Sequence, residues 1–104
     1  MENTSILLKK ISIGNLTCQN RFAVNAMECN DADEYGNPSK NTLNRYKRFF
    51  KANPGLIDLE AITVTDIYRG RKNQLSVLPK NEKSLKEFVK KLKKINPNTI
   101  FFWG

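Results

Sequence analysis

Apolar residues in this chain come in short blocks separated by polar, turn-forming residues, and the blocks differ in period. Ile6-Leu7-Leu8 and Ile11-Ser12-Ile13 flank Lys9-Lys10, and Gly14-Asn15 follows, which predicts short strand or hairpin material with a turn beside it. Arg21 to Met27 is apolar on both parities (Phe22, Val24, Ala26 and Ala23, Met27), with Asn25 the exception. Such a run suits a strand covered on both faces, as in a parallel sheet. Glu28 to Pro38 is polar, with Gly36 and Pro38 as breakers, and predicts a loop.

The next block changes period. Leu43, Tyr46, Phe49 and Phe50 fall at helical spacing between Ser39 and Asn53, with a basic opposite face, and Pro54-Gly55 stops the run. Leu56 to Val64 is rich in Ile, Leu and Val and predicts the next strand. Thr65 to Pro79 predicts a long basic loop, above the usual connection length, which points to a functional or disordered segment. Leu85, Phe88, Val89, Leu92 and Ile95 form one stripe of a second helix. Ser84 with Glu87 three residues on reads as its capping box, and Asn81 competes as a start signal. Asn96-Pro97-Asn98 ends this helix, and Thr99 to Trp103 predicts a third strand.

The order is therefore a hairpin followed by β-α-β-α-β, which implies an α/β fold with parallel pairing and right-handed crossovers. Segments 21–27, 55–64 and 99–103 are expected as adjacent parallel strands, with helices over 40–53 and 84–95 on one side. All of 1–104 reads as a single segment of one domain.

Composition narrows the classes. Hydrophobic content is 39% and charged content 27%, with aromatics well represented, which excludes wholesale disorder. The formal charge of +8 permits attraction to nucleic acid or acidic lipid without specifying it. No apolar run reaches membrane-spanning length, and Met1 to Ser5 lacks the basic region of a signal peptide, so a cytoplasmic location is the expectation. Histidine is absent, and Cys18 and Cys29 lack metal-ligand spacing; both read as free thiols, and a Cys–His nucleophile pair is excluded within this chain.

Several clusters admit a sharp and a simple reading. Asp31-x-Asp33-x-Tyr35-Gly36 begins like a calcium loop, but its twelfth position is Thr42, so a solvated acidic loop is preferred. Glu28, at a strand end, stands evenly between a site role and plain loop polarity. Lys86, Lys90, Lys91, Lys93 and Lys94 read first as the wet face of an outer helix. Arg69, Arg71 and Lys72 are better placed to meet an anionic ligand. Phe101-Phe102-Trp103 reads as core.

At the level of motif order, the chain resembles the N-terminal part of the old yellow enzyme family, the FMN-dependent NADH:flavin oxidoreductases. That family opens with Leu/Ile-x-Ile-Gly-x-Leu-x-Leu-x-Asn-Arg, which stands here as Ile11-Ser12-Ile13-Gly14-Asn15-Leu16-Thr17-Cys18-Gln19-Asn20-Arg21. A strand ending in Ala-Pro-Met corresponds to Asn25-Ala26-Met27, and the loop and helix that follow to Gly36-Asn37-Pro38 and Tyr46. Gly-Leu-Ile then Glu-Ala corresponds to Gly55-Leu56-Ile57 and Glu60-Ala61, and an Arg-x-x-x-Gln-Leu-like element to Gly70-Arg71-Lys72-Asn73-Gln74-Leu75.

The resemblance implies the opening of a (β/α)₈ barrel with FMN at the C-terminal mouth of the strands. It implies hydride transfer from NADH or NADPH to the flavin and on to an activated alkene or similar acceptor. It carries flavin contacts onto Asn25, Ala26, Met27, Glu28 and Ala61; no catalytic residue and no metal ligand is carried over. Ala26 departs from the family's proline, and Gly104 stands where a flavin-binding Gln is expected. The acceptor-binding pair, the phosphate-binding residues and the proton-donating Tyr would all lie beyond residue 104. Three strands cannot close an eight-stranded barrel. The expectation is thus a truncated reading frame, an engineered piece, or a fragment that self-associates or depends on the missing barrel half, inactive alone and binding FMN weakly or not at all. The rival reading is a small basic interaction protein that uses its lysine helix on nucleic acid or acidic lipid. A flavodoxin-like domain is disfavoured, because Glu28 to Glu34 would repel a phosphate where that fold binds one.

Overall fold

The computed structural model describes residues 5–67 and 69–103, with the backbone alone at Trp103. Gly104, the expected Gln position, lies outside the described residues. Strands β1 (Ile11–Ile13) and β2 (Leu16–Cys18) form an antiparallel hairpin with Ile13 opposite Leu16. Its turn is Gly14-Asn15, and Gly14 takes φ +58, the positive φ a tight hairpin needs at its first turn position. Ile6 to Leu8 forms no strand; Leu8 and Lys9 N–H groups turn back to the Ser5 and Ile6 carbonyls.

The main sheet has the order β3 (Ala23–Val24), β4 (Leu56–Leu59), β5 (Ile100–Trp103), all parallel. Helices α1 (Lys40–Lys51) and α2 (Glu82–Ile95) make the two crossovers. The expected topology holds, but two strands are much shorter than their apolar runs. β3 pairs only through Ala23 and Val24, and β4 stops at Leu59. Nor is β3 covered on both faces: Phe22 and Ala23 are exposed and only Val24 joins the core.

Helix α1 starts where the sequence directs. Ser39 Oγ accepts from the Thr42 N–H at 3.1 Å and Thr42 Oγ1 accepts from the Ser39 N–H at 3.2 Å, so two N-terminal donors that lack helical partners are satisfied. It ends through Asn53, at φ +62, followed by Pro54. Helix α2 does not start at Ser84. A 3₁₀ turn over Pro79–Asn81 leads straight into Glu82. The competing start won because proline at the first position of the turn sets the helical φ two residues earlier.

Both helices pack on one face of the sheet. Tyr46, Phe50, Phe88 and Leu92 meet Ile57 and Leu59, all buried. Phe101 belongs to this side: its ring lies 5.2 Å from Phe50, edge to face, and 5.7 Å from Tyr46. The sequence read Phe101-Phe102-Trp103 as core; strand alternation turns Phe101 to the helices and leaves Phe102, 43% exposed, on the far face. That far face is covered only at one end, where Ile13, Leu16, Cys18, Leu56, Ile100 and Phe102 line an apolar cavity of about 170 Å³.

The motif residues Asn20 and Gly55 are structural. Asn20 Oδ1 accepts from the Gly55 N–H at 2.7 Å and from the Phe22 N–H at 3.1 Å, while Nδ2 donates to the Asn53 carbonyl at 2.9 Å. A Cβ at position 55 would collide with the Asn20 carbonyl, so the link between hairpin and β4 requires glycine there.

Candidate functional site

In a parallel sheet with helical crossovers, loops at the C-terminal strand ends share one edge and form the natural site. Val24 pairs with Ile57, so the segment from Asn25 onward leaves the sheet at the same end as Glu60-Ala61. Asn25, Ala26 and Met27 are exposed, Met27 by 71%. Ala61 is exposed as well. Glu28 is half-buried, and its Oε1 is buried without a hydrogen-bond partner. Cys29 is free and exposed. The residues read as flavin contacts thus emerge from two neighbouring strands at one end of the sheet.

These segments are held by an ionic network that the sequence reading missed. Arg45 on α1 makes a two-pronged contact with Asp31, Nε to Oδ2 and Nη2 to Oδ1, each 2.9 Å. The same Nη2 reaches Glu60 Oε1 at 2.5 Å. Tyr46 donates its hydroxyl to Glu60 Oε1 at 3.0 Å and accepts from the Glu60 N–H at 3.1 Å. Thr42 Oγ1 donates to Asp31, and Ser39 Oγ to the Asp31 carbonyl. The first two turns of α1 therefore tie the loop after β3 to the end of β4. The signal was present, since Ser39, Thr42, Arg45 and Tyr46 follow at i, i+3, i+6 and i+7, but their acidic partners are distant in sequence.

Glu60 is 1% exposed and its Oε2 has no hydrogen-bond partner. The Arg45 hydrogen bonds hold the Asp31 carboxyl below its ordinary range, against the opposing effect of burial, with Thr42 assisting. Burial works against the Arg45 charge, but hydrogen bonds to Asp31 and Glu60 outweigh it and raise its pKa. Burial pushes the Tyr46 phenol well up, so it remains a donor. Asp31 is thus an ion-pair partner rather than part of a solvated loop. Asp33 does a turn's work, accepting from the Tyr35 and Asn37 N–H groups at 2.9 Å.

The long basic loop is pinned, not loose. Thr63 and Ser76 form a parallel bridge, and Gln74, Leu75 and Ser76 are buried. The loop's backbone bonds to the loop after β3: Ala32 N–H to the Asn73 carbonyl at 3.0 Å, and Ser76 N–H to the Gly36 carbonyl at 2.9 Å. Gly36 sits at φ +84, and a Cβ there would collide with Ser76. Gln74 Nε2 holds the Ala61 carbonyl at 3.2 Å. Asn81 Nδ2 donates to the Tyr35 carbonyl at 3.0 Å.

Arg69 spends its guanidinium on the Glu34 and Gln74 carbonyls, at 2.8 and 2.6 Å. It clamps loops together, while Arg71 and Lys72 remain exposed. On α2, Lys86 pairs with Glu82 at 2.8 Å and Lys93 Nζ donates to the Thr99 carbonyl, so the lysine face is partly engaged in the fold. Among the described residues, no three His, Cys, Asp or Glu side chains come together as a metal site needs, and no helix is long and apolar enough to cross a membrane.

No protein-family model and no curated protein sequence matches the chain. Solved structures do. A variant of NCR from Zymomonas mobilis superposes with a TM-score of 0.78 and 17% identity, over 93% of this chain and 30% of that one. TcOYE, solved with pHBA, superposes with a TM-score of 0.78 and 22% identity, over 93% of this chain and 26% of that one. Both are barrel proteins of the old yellow enzyme family, and the chain resembles them in fold. It spans less than a third of the length of either.

Proposed function

We propose that the chain is the N-terminal part of an FMN-dependent oxidoreductase barrel of old yellow enzyme type. The observation that carries this reading is the hairpin and parallel β3-β4-β5 sheet, superposing over 93% of the chain on two such barrels, with the family's motif residues in working positions. Asn20, Gly36, Gly55, Gln74 and Tyr46 all have local structural jobs, which explains why their order matches.

The mouth fits one part of the cofactor. Exposed Ala61 leaves room for a flat ring beside the exposed segment 25–27, and the unpartnered Glu28 Oε1 offers an acceptor to a ring N–H. It does not fit the phosphate, because Arg69 is engaged with the Glu34 and Gln74 carbonyls and Glu28, Asp33 and Glu34 crowd the first loop. When bound, the flavin supplies hydride transfer from NADH or NADPH to a small acceptor such as an activated alkene. This chain's share is to hold the ring's edge and, through Arg45 and Gln74, to fix the two segments beside it. Alone it binds FMN weakly and catalyses nothing. The cytoplasm is the compartment proposed.

Lumiflavin, a ring without the phosphate, tests the reading by amide NMR of the isolated chain. Shift changes should be confined to residues 25–28 and 60–61 and saturate only near millimolar ligand, as for a partial surface of a few contacts. Changes centred on the α2 lysines, or none at all, would sink the flavin reading.

A further inference from the structure

We propose that the outer face of the two helices is a docking surface for duplex DNA, held through its phosphates without reading sequence. The inference rests on where the fold places charge and is independent of the flavin reading.

Folding gathers the charge into one layer. Helices α1 and α2 carry eleven of the eighteen Lys and Arg residues but two of the ten Asp and Glu, a net +9, whereas the rest of the chain nets −1. Both helices pack on the same face of the sheet and touch each other, Tyr46 against Phe88. Taken alone, the α2 lysines read as a wet face; α1 sets a second row of cations beside them. Lys40, Lys47 and Lys51 recur at i, i+7 and i+11, which puts them on one line along α1. Lys83, Lys90 and Lys94 repeat that spacing on α2, on the side opposite its buried Leu85, Phe88 and Leu92. Each line is about 16 Å long, and helices packed side by side have axes roughly 8–10 Å apart. Lys40 and Lys91 line the groove between them.

The fold spends little of this charge on itself. Arg45 is committed to Asp31 and Glu60, Lys86 to Glu82, and Lys93 to the Thr99 carbonyl. The two lysine rows make no ion pair among the described residues. Glu87, exposed in the groove, is the one carboxylate of the two helices that opposes an anion without a cation of its own.

What the face lacks selects the polyanion. No large hydrophobic residue is exposed on either helix, so nothing here inserts into a lipid surface. Tyr46, Phe49, Phe50 and Phe88 lie in or against the core, which leaves no platform for unpaired bases to stack on. Phosphate contact remains, and lysine meets phosphate as a point charge. Two cation rows on the order of 10 Å apart suit the two phosphate strands that border a major groove about 12 Å wide. An acidic peptide offers no second row at a fixed distance.

The test titrates the full chain into a labelled duplex of about 20 base pairs, followed by fluorescence anisotropy between about 50 and 200 mM salt. The affinity should fall steeply with salt, with a log–log slope of about −5, as for roughly six phosphates neutralised. Lys40→Gln with Lys91→Gln should weaken binding about fivefold or more and reduce the slope by about two. Lys9→Gln with Lys10→Gln, exposed residues just before β1, removes the same charge elsewhere and should change neither. Glu87→Gln should act in the opposite direction and tighten binding, and far-UV circular dichroism matching the parent's shows that each variant is folded. Equal losses from the hairpin pair and the helix pair would overturn the docking face, as would no binding at the lowest salt. A single strand of the same sequence, or polyglutamate of equal charge, bound as tightly as the duplex would overturn the choice of partner. Lumiflavin is read at residues 25–28 and 60–61, away from this face, so failure of either inference leaves the other standing.

Discussion

The two faces of the central sheet are built to different standards. On the helix side Ile57, Leu59 and Phe101 interlock with Tyr46, Phe50, Phe88 and Leu92, and Phe50–Phe101 and Tyr46–Phe88 meet edge to face at 5.2 and 5.5 Å. On the other side Leu56, Ile100 and Phe102 meet Ile13, Leu16 and Cys18 of the hairpin around an apolar cavity. The first face holds the buried core of the β-α-β-α-β unit. The second holds an apolar cavity beside the hairpin. The difference teaches that alternate residues of the same strands carry separate tasks, one set packing the helices and the other meeting the hairpin.

The sharpest way to break the comparison is paired truncation. Phe50→Ala should cost about 3–5 kcal/mol, because a buried ring leaves a cavity its neighbours cannot fill. Phe102→Ala, on the open face, should cost under about 1 kcal/mol. Urea melts of the two variants would show it; equal losses would mean that both faces are packed in the isolated chain.

Arg45→Met comes next. It leaves Asp31 and Glu60 without their cation, at a cost of roughly 3 kcal/mol, in the range for removing one partner of a buried pair. Faster hydrogen exchange should follow in the loop after β3 and around Glu60, while the open face is unchanged. Uniform exchange across the chain would mean that Arg45 ties nothing in particular.

The smallest effect is a pH dependence. The folded-state pKa of Asp31 is lowered, so its contribution is fully present above the ordinary value of 3.8 and is lost as pH falls through the folded value. Asp31→Asn should be less stable than the parent at neutral pH, and the gap should narrow in acid below 3.8. A gap that stays constant between neutral pH and strong acid would show that the Asp31 charge contributes nothing.

The sequence by itself determined the element order, the parallel pairing, the helix stripes and the hairpin turn, because these depend on residue periodicity and on glycine, proline and cap chemistry acting over a few positions. It also placed Asn25 to Met27 at the end of a strand with Glu28 just after it, whereas Ala61, expected inside a strand to Val64, lies past the end of β4 at Leu59. The tertiary structure decided the rest. Strand length depended on a neighbour to pair with, so β3 ends at Val24 although its apolar run continues to Met27. Which face Phe101 takes depended on where the helices land. The long loop became ordered because Thr63 and Ser76 met across it, and Arg45 became the tie of the mouth because folding brought Asp31 and Glu60 to it from 14 and 15 residues away. Contacts between residues so far apart leave no period in a single sequence to read; they exist only once the chain has folded back on itself.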